Sequence, residues 1–583
     1  MQKEDETQEQ TPDRAYQEYV ELSAANLVPG EPRTYQQMLE YPDVAEWVEA
    51  MNEELSSLIG NGVWEVVPKP PNTNIVICKW VYKLKRSADG NIARYKARLV
   101  ARGFTQAYGI DYTDTYVPVT RLKTIRLLFA LAVEKDWEIR QIDVKTAYLN
   151  GDLDEEIFMA PPEGYNVPQG HVLLLKKSLY GLKQAGRQWY KCLKDTMSRF
   201  DLKPLANDPH TYVGHKIVNG EKRTIIIPVY VDDLYPIGDK ALTDEFEKWI
   251  PDYFGVTLTG DATSCLGIRI LRNRNADPPF LSIDQEVYAN EIVRRANRDK
   301  AKPSSTPLSS QEKLEPNNEQ ATAGDIQLYQ RIIGAFMYLM LGSRPDLAYA
   351  VQKLSRFSAN PSSAHSKALE RVMTYILGTT NYALKYCRRN HGNAIDPTGF
   401  TDADFASDTS DSRSVTGYTF LLGDAAFSWF SKKLGHTTGS TAETEYAALY
   451  RGGEQAFWLR QFYEQIGLPL TSPIKIYCDN EAANAIARNQ GTHSKAKSIR
   501  VEYHTIRERI DRKEIEVEHV RTEKNLADIF TKSLQKDLFY SHVDTLGIVH
   551  VAEVKALLQP LEADNSMSSQ FVDAEDDFGS YAD

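Results

Sequence analysis

The segment TIIIPVYVDDLYPIG, residues 224–238, limits the fold most: an apolar β-prone run, two adjacent aspartates, then a second apolar run. β-branched and aromatic residues favour strands, and two such runs around a short polar break read as a hairpin. Asp232 and Asp233 are therefore predicted at a hairpin tip, where neighbouring carboxylates are presented together. An Asp-Asp pair alone says little, because ordinary turns contain it. Pro228 and Pro236 count against an ideal ladder, since proline donates no backbone hydrogen bond and is poorly tolerated in a central strand.

A chain of 583 residues exceeds the size at which one core keeps growing, so about two to four domains are expected. With 42% hydrophobic and 25% charged residues it has the balance of a globular protein, which excludes disordered and fibrous classes. No apolar run reaches the roughly 20 residues that span a bilayer, and the start MQKEDETQEQTPDR lacks the features of a signal peptide, so an intracellular chain with no membrane partner is expected. Cys78, Cys192, Cys265, Cys387 and Cys478 are scattered without zinc-ligand spacing and read as ordinary buried thiols. The net charge of −12 is unevenly placed: seven acids and no base stand from Glu562 onward. Between Lys79 and Arg102, by contrast, lie eight cations (Lys79, Lys83, Lys85, Arg86, Arg94, Lys96, Arg98, Arg102) against one acid, Asp89, a field suited to phosphates or to a solvated hairpin face.

Residues 1–42 read as a flexible leader, with order beginning near Pro42. EWVEAMNEELSSLIGNG has helical spacing ending in glycine, and IVICKWVYKLKRSADGNIARYKARLVARGF reads as a hairpin turning at Asp89-Gly90. The Pro-, Ser- and Asn-rich AKPSSTPLSSQEKLEPNNEQATAGD marks a linker within 287–325, and apolar residues at three- and four-residue spacing predict a helical connector over 326–392. Strand-like and helical stretches then alternate over 396–535, as in a compact α/β domain, and 536–583 reads as an acidic tail.

WEIRQIDVKTAYLNG supplies a third acid, Asp143, at a predicted strand end, with Tyr148 five residues on. With KWVYKLKRSADGNIARYKARLVARGFTQ, IDVKTAYLNGDLDEEIFMAPPEGY, KKSLYGLKQAGRQWY and YVDD in this order, residues 43–286 resemble reverse transcriptases of the copia-type retrotransposon family. The resemblance implies a right-hand polymerase domain of fingers and palm. Asp143, Asp232 and Asp233 would be its metal-binding catalytic carboxylates. Tyr148 would be a steric gate against a ribose 2′-hydroxyl, Lys85 and Arg98 donors to the triphosphate, Gln184 a contact to the incoming nucleotide, and Leu266-Gly267 the primer-grip hairpin. Gly186 stands where family members carry proline, which loosens a loop that should be preorganised.

Asp402 in GFTDADFAS, Glu445 in STAETEYAALYRGGEQAFWL, Asp479 in IKIYCDNEAA and Asp528 in EKNLADIFTKSL follow in an order that resembles a copia-type ribonuclease H domain. The resemblance implies a second metal-binding catalytic set, with Asp404 and Glu443 as alternatives within their pairs. A mobile histidine common in such enzymes is missing: Thr522 and Glu523 stand in the loop, His519 reads as a strand residue, and His504 is structural or substrate-contacting.

The expected fold class is thus multidomain α+β and α/β: a right-hand polymerase domain, a helical connector and a ribonuclease H-like domain. Implied cofactors are two Mg²⁺ per site, with Mn²⁺ as an alternative, because paired carboxylates suit hard divalent cations about 4 Å apart. Implied partners are an RNA template, a DNA primer, the RNA–DNA hybrid and deoxynucleoside triphosphates, in cytoplasmic particles before the DNA reaches the nucleus. The rival reading is a decayed or host-adopted remnant that binds nucleic acid without chemistry, motivated by Pro228, Pro236 and Gly186.

Overall fold

The structure is a computed structural model that describes residues 31–86, 92–115, 117, 119–310, 314–389, 395–408, 410–488 and 500–558. They divide into two compact units, one from 31–120 and 138–262, the other from 121–137 and 263–558.

In the first unit, Cys78–Arg86 and Ile92–Ala101 pair antiparallel, with Lys83 opposite Lys96 and Val81 opposite Arg98. Alternation sends Trp80, Tyr82, Leu84, Tyr95, Ala97 and Leu99 to one face, where they form a core with Trp47 and Met51 of the helix Val44–Gly60. Lys79, Lys83, Lys96 and Arg98 fall on the opposite face by the same register. The hairpin is as predicted; its turn at Asp89-Gly90 lies outside the described residues. A four-stranded sheet (Trp64–Pro68, His171–Lys177, Asp152–Met159, Ile75–Val76) completes this part.

The second sheet of the unit centres on Glu138–Val144. Glu221–Tyr230 turns through Val231 and Asp232 into the short strand Asp233–Leu234, and Ile237–Gly238 continues the same line. Asp233 lies opposite Asp143, Leu234 opposite Ile142, Ile237 opposite Ile139 and Gly238 opposite Glu138, so the register is unchanged across Tyr235-Pro236. Pro228 is equally in register, opposite Thr211. Each proline keeps its acceptor role: the Pro228 carbonyl takes Tyr235 N–H at 3.1 Å and the Pro236 carbonyl takes Arg140 N–H at 2.9 Å. The prolines therefore remove one ladder bond each, about 1 kcal/mol apiece, and make no bulge. Gly186 sits in the first turn of the helix Ala185–Arg199, where an added Cβ would lie 2.7 Å from Val117 Cγ2. A larger residue there must displace Val117.

The other unit holds two five-stranded sheets. In one, Ser264–Cys265, Ile268–Asn273, Phe280–Asp284, Tyr382–Cys387 and Ile548–His550 pair in that order. Leu266-Gly267 forms the two-residue turn of its first hairpin, both residues having positive φ. The helices Ala323–Gly342, Ala348–Ser355 and Ser363–Leu377 lie in the same unit, around the fully buried Arg344–Asp346 pair. The other sheet runs Ala425–Lys433, Val415–Leu422, Thr398–Asp404, Ile474–Cys478, Ile515–His519, antiparallel through the first three strands and parallel through the last.

Sequence boundaries shift in several places. Residues 35–39, read as part of the leader, form the helix Tyr35–Leu39, capped by Thr34 and with Met38 buried. Residues 536–558, read as tail, form the helix Lys536–Thr545, the strand Ile548–His550 and the helix Val551–Ala556, because FYSHVDTLGIVHVAEV carries enough apolar residues to close the connector sheet. The acidic stretch from Glu562 lies outside the described residues. The linker span opens with the helix Glu286–Arg295, and the described residues between that helix and Ala323 form no helix or strand. The helix Leu122–Lys135, placed by sequence in the polymerase domain, belongs with the connector and the last sheet: Arg126 donates to Phe427 O at 2.7 Å and Gly342 O at 3.1 Å, and its guanidinium lies 3.8 Å from the Trp429 ring centroid. Among the described residues no helix is long and apolar enough to cross a membrane.

Candidate active sites

The first site is built by ladder register. Cross-strand partners share a face, which puts Asp143 and Asp233 side by side, and Gln141, two residues back, donates to Asp233 Oδ1 at 3.4 Å. Asp232, at the turn, is 8% exposed, and its carbonyl takes Val144 N–H at 2.8 Å. Val231 has φ +54°, a left-handed conformation rare for a β-branched residue. The Trp189 indole, on the helix Ala185–Arg199, donates to the Val231 carbonyl at 2.6 Å and so steadies this turn.

Tyr148 is half-buried beside this carboxylate group, its ring 4.8 Å from that of Tyr180 and nearly perpendicular to it. Burial, the Tyr180 hydroxyl and the charge of Asp232 raise Tyr148; burial and the same aspartate raise Tyr180 despite Arg98. Both rings stay neutral at physiological pH. The Arg98 guanidinium carbon is 4.9 Å from the Tyr180 centroid. Asp232, Arg98 and Tyr148 are thus gathered around Tyr180, a residue the sequence reading quoted in LYGLK without assigning it a part. The side chain of Lys85 lies outside the described residues; its backbone pairs with Arg94.

Gln184 is fully buried, and protein groups hold both ends of its amide. Oε1 accepts from Gln106 at 3.0 Å, while Nε2 donates to Asp111 O at 2.7 Å and Glu155 Oε2 at 3.2 Å. Gln106 in turn accepts Lys183 N–H at 2.7 Å. The loop before this helix presses on the hairpin so closely that a Cβ on Gly181, at φ +86°, would lie 2.0 Å from Ala101 O. In this arrangement Gln184 fixes the loop that carries Tyr180.

The second site is built by packing. Asp402 lies near the end of Thr398–Asp404 and Asp479 follows Ile474–Cys478, at the carboxyl ends of two parallel neighbours. Glu445 lies in the second turn of the helix Thr441–Gln465. Two turns on, a Cβ at Gly452 would meet Thr401 Cγ2 at 2.5 Å, so this helix approaches the Asp402 strand as only glycine allows. Asp528 lies in the short helix Leu526–Phe530, tied to the same strand by Asn525 Nδ2 donating to Thr401 O at 3.0 Å. Asp402, Asp479 and Asp528 each bring an oxygen within 4.8 Å of the others. Asp404 sits beside the group, half-buried. Glu443 instead accepts Gly439 N–H at 2.8 Å at the helix start, which separates it in role from Glu445.

Burial, then Asp402 and Asp479, hold the Glu445 carboxyl far above its usual range; burial, then Asp402, raise Asp528. Two side chains of the EKNLADIFTKSL stretch, to which the sequence assigns no part, answer this charge. Thr531 donates to Asp402 Oδ2, and Lys532 lies 3.0 Å from Asp528 Oδ1 and 3.5 Å from Asp402 Oδ2. Burial alone would lower the Lys532 ammonium, but Asp402 and Asp528 outweigh it and leave it raised. Glu445 Oε2 is buried with no hydrogen-bond partner among the described residues. Converging carboxylates and a buried oxygen lacking a donor fit a hard divalent cation. His519 is exposed at a strand end, and the side chain of His504 lies outside the described residues.

Residues 61–310 match the family described as reverse transcriptase (RNA-dependent DNA polymerase). The chain is 37% identical over 529 residues to the retrovirus-related Pol polyprotein from transposon TNT 1-94 of Nicotiana tabacum, covering 89% of itself and 39% of that protein. It is 34% identical over 534 residues to the Pol polyprotein from transposon RE1 of Arabidopsis thaliana, covering 91% and 35%. It therefore spans about two-fifths of the length of these relatives. A solved foamy viral protease-reverse transcriptase in complex with double-stranded DNA aligns over 86% of this chain and 73% of its own, at 11% identity and TM-score 0.41. By its sequence kinship the chain belongs to the copia-type retrotransposon Pol family, its residues 61–310 carrying the reverse transcriptase match.

Proposed function

We propose that the chain is an RNA-directed DNA polymerase that extends a DNA primer along an RNA template and degrades the RNA of the resulting hybrid at its second site. The observation that carries the polymerase reading is the pairing of Asp233 with Asp143 beside Asp232 at the strained Val231 turn. Two Mg²⁺ ions on these carboxylates would activate the primer 3′-hydroxyl and neutralise the leaving pyrophosphate. Arg98 offers a cation for the triphosphate, and Lys85 would be a second. Tyr148, packed against Tyr180, would be the gate that a ribose 2′-hydroxyl meets. Gln184 and Trp189 act one layer behind, fixing the loop and the turn.

At the second site Asp402, Glu445, Asp479 and Asp528 would hold the two ions that activate water and stabilise the leaving 3′-oxygen. Lys532 balances their charge in the metal-free chain. The in-register passage of the strands through Pro228 and Pro236 supports an active copy over a binding-only remnant. Primer extension on an RNA template, with wild type beside Asp232→Asn, tests this. Extension lost in the mutant is expected; a folded wild type that extends nothing returns the reading to a nucleic-acid binder.

A further inference from the structure

Cys478 ends the strand that leads into Asp479, and it is fully buried. Its Sγ does not face an apolar core alone: Glu445, Cys478 and Asp479 each bring one ligand atom within 4.8 Å of the others. Burial, then the charges of Glu445, Asp479 and Asp402, push this thiol above its usual range, so a cation bound there has to displace its proton. Glu445 is 5% exposed, and its Oε2 has no hydrogen-bond partner among the described residues. Two carboxylate oxygens and one sulfur form a mixed donor set. Hard ions such as Mg²⁺ do not seek thiolates, whereas Zn²⁺ and Cd²⁺ bind them together with carboxylate oxygens.

We propose that Glu445, Cys478 and Asp479 form a binding site for a thiophilic divalent cation, which competes with the hard ions of the second carboxylate site. As the metal–sulfur bond forms, the thiol proton passes to solvent and the metal keeps its charge, with no change of oxidation state. Asp479 belongs both to this group and to the Asp402–Asp479–Asp528 group, so the two kinds of ion share a ligand. Binding stands on the geometry alone; its consequence, silencing of hybrid cleavage, rests on the function proposed above. The other thiols, Cys78, Cys192, Cys265 and Cys387, belong to no such three-ligand group among the described residues.

The test uses the full chain, stripped with chelator and titrated with Cd²⁺ or Co²⁺, reading the thiolate-to-metal charge-transfer absorption. Wild type and the Cys78→Ala, Cys192→Ala, Cys387→Ala triple variant are expected to develop the band, and Cys478→Ala to lose it. Affinity for Cd²⁺ should fall about 10- to 100-fold in Cys478→Ala, the usual loss when a supporting ligand goes. Should Cys478→Ala fail to fold, Glu445→Gln must weaken Cd²⁺ binding by about tenfold on the same scale. No band in wild type, an undiminished band in Cys478→Ala, or unchanged affinity in Glu445→Gln overturns the proposal. In parallel, Cd²⁺ should inhibit Mg²⁺-supported hybrid cleavage at lower concentration in wild type than in Cys478→Ala. A wild type that shows the band but cleaves no hybrid leaves the metal site standing and removes the ribonuclease reading.

Discussion

The two carboxylate sites are assembled by different means. In the first, Asp143 and Asp233 come together because two strands keep a register, and Asp232 follows because the turn from Glu221–Tyr230 into Asp233–Leu234 is only two residues long. In the second, four elements from residues 402 to 528 converge, and their oxygens draw near enough that an internal ammonium, Lys532, stands between two of them. A site set by register is fixed once the sheet forms and depends little on an ion. A site set by convergence of buried charges carries a repulsion that a cation must answer.

The largest expected effect separates the two sites. Asp232→Asn should reduce primer extension by about a thousandfold or more while hybrid cleavage persists, and Asp402→Asn should do the reverse. Loss of both activities in either variant would mean that the sites are not separable. Next, Tyr148→Val should raise ribonucleotide incorporation by about a hundredfold at similar deoxynucleotide kcat; equal discrimination in both proteins would make Tyr148 a packing residue only.

The remaining predictions bear on the charge of the second site. Lys532→Met should destabilise the metal-free chain by about 1–3 kcal/mol, below the roughly 3–5 kcal/mol of a fully buried pair because the lysine is 33% exposed. Saturating Mg²⁺ should restore most of that in thermal melts. The raised carboxyls give a pH dependence with a definite sign. Glu445 and Asp528 hold protons more tightly folded than unfolded, so their contribution to stability is present below the unfolded values near 4 and is lost as pH rises through the raised folded values. In chelator, melting temperature should fall from about pH 5 to pH 8, and Mg²⁺ should flatten that slope. A flat profile in chelator would mean that Lys532 already balances the site. The smallest effect belongs to the first site: Pro236→Val restores one ladder donor and should add no more than about 1 kcal/mol, with unchanged extension.

The same contrast explains what could be read from the chain. Register and alternation are local properties, so the cationic hairpin, the aspartates at a turn and the order of the four later acids were all legible. The parts supplied by packing were not. Trp189 reads as a core aromatic until its indole meets the Val231 carbonyl, and no spacing in LYGLKQA shows that protein groups hold both ends of the Gln184 amide. Lys532 and Thr531 stood in the quoted EKNLADIFTKSL, but their bearing on Asp402 depends on a contact across about 130 positions that no spacing encodes. The tail failed for the opposite reason: its net charge, concentrated beyond Glu562, masked the apolar pattern of 536–558.

The helix Leu122–Lys135 is drawn from the middle of the polymerase sequence, yet it belongs to the unit that holds the last sheet, and Thr124 through Val133 are buried without a break. Cutting the gene at the linker would strip this segment of Phe427, Leu341, Gly342 and Trp429 and leave a continuous apolar surface wet. A fragment ending near residue 286 should therefore aggregate on expression, and a fragment starting near 287 should lack a helix that its own core packs against. The chain leaves one unit after Thr120 and returns to it at Glu138, so neither unit is a contiguous stretch that a single cut could release.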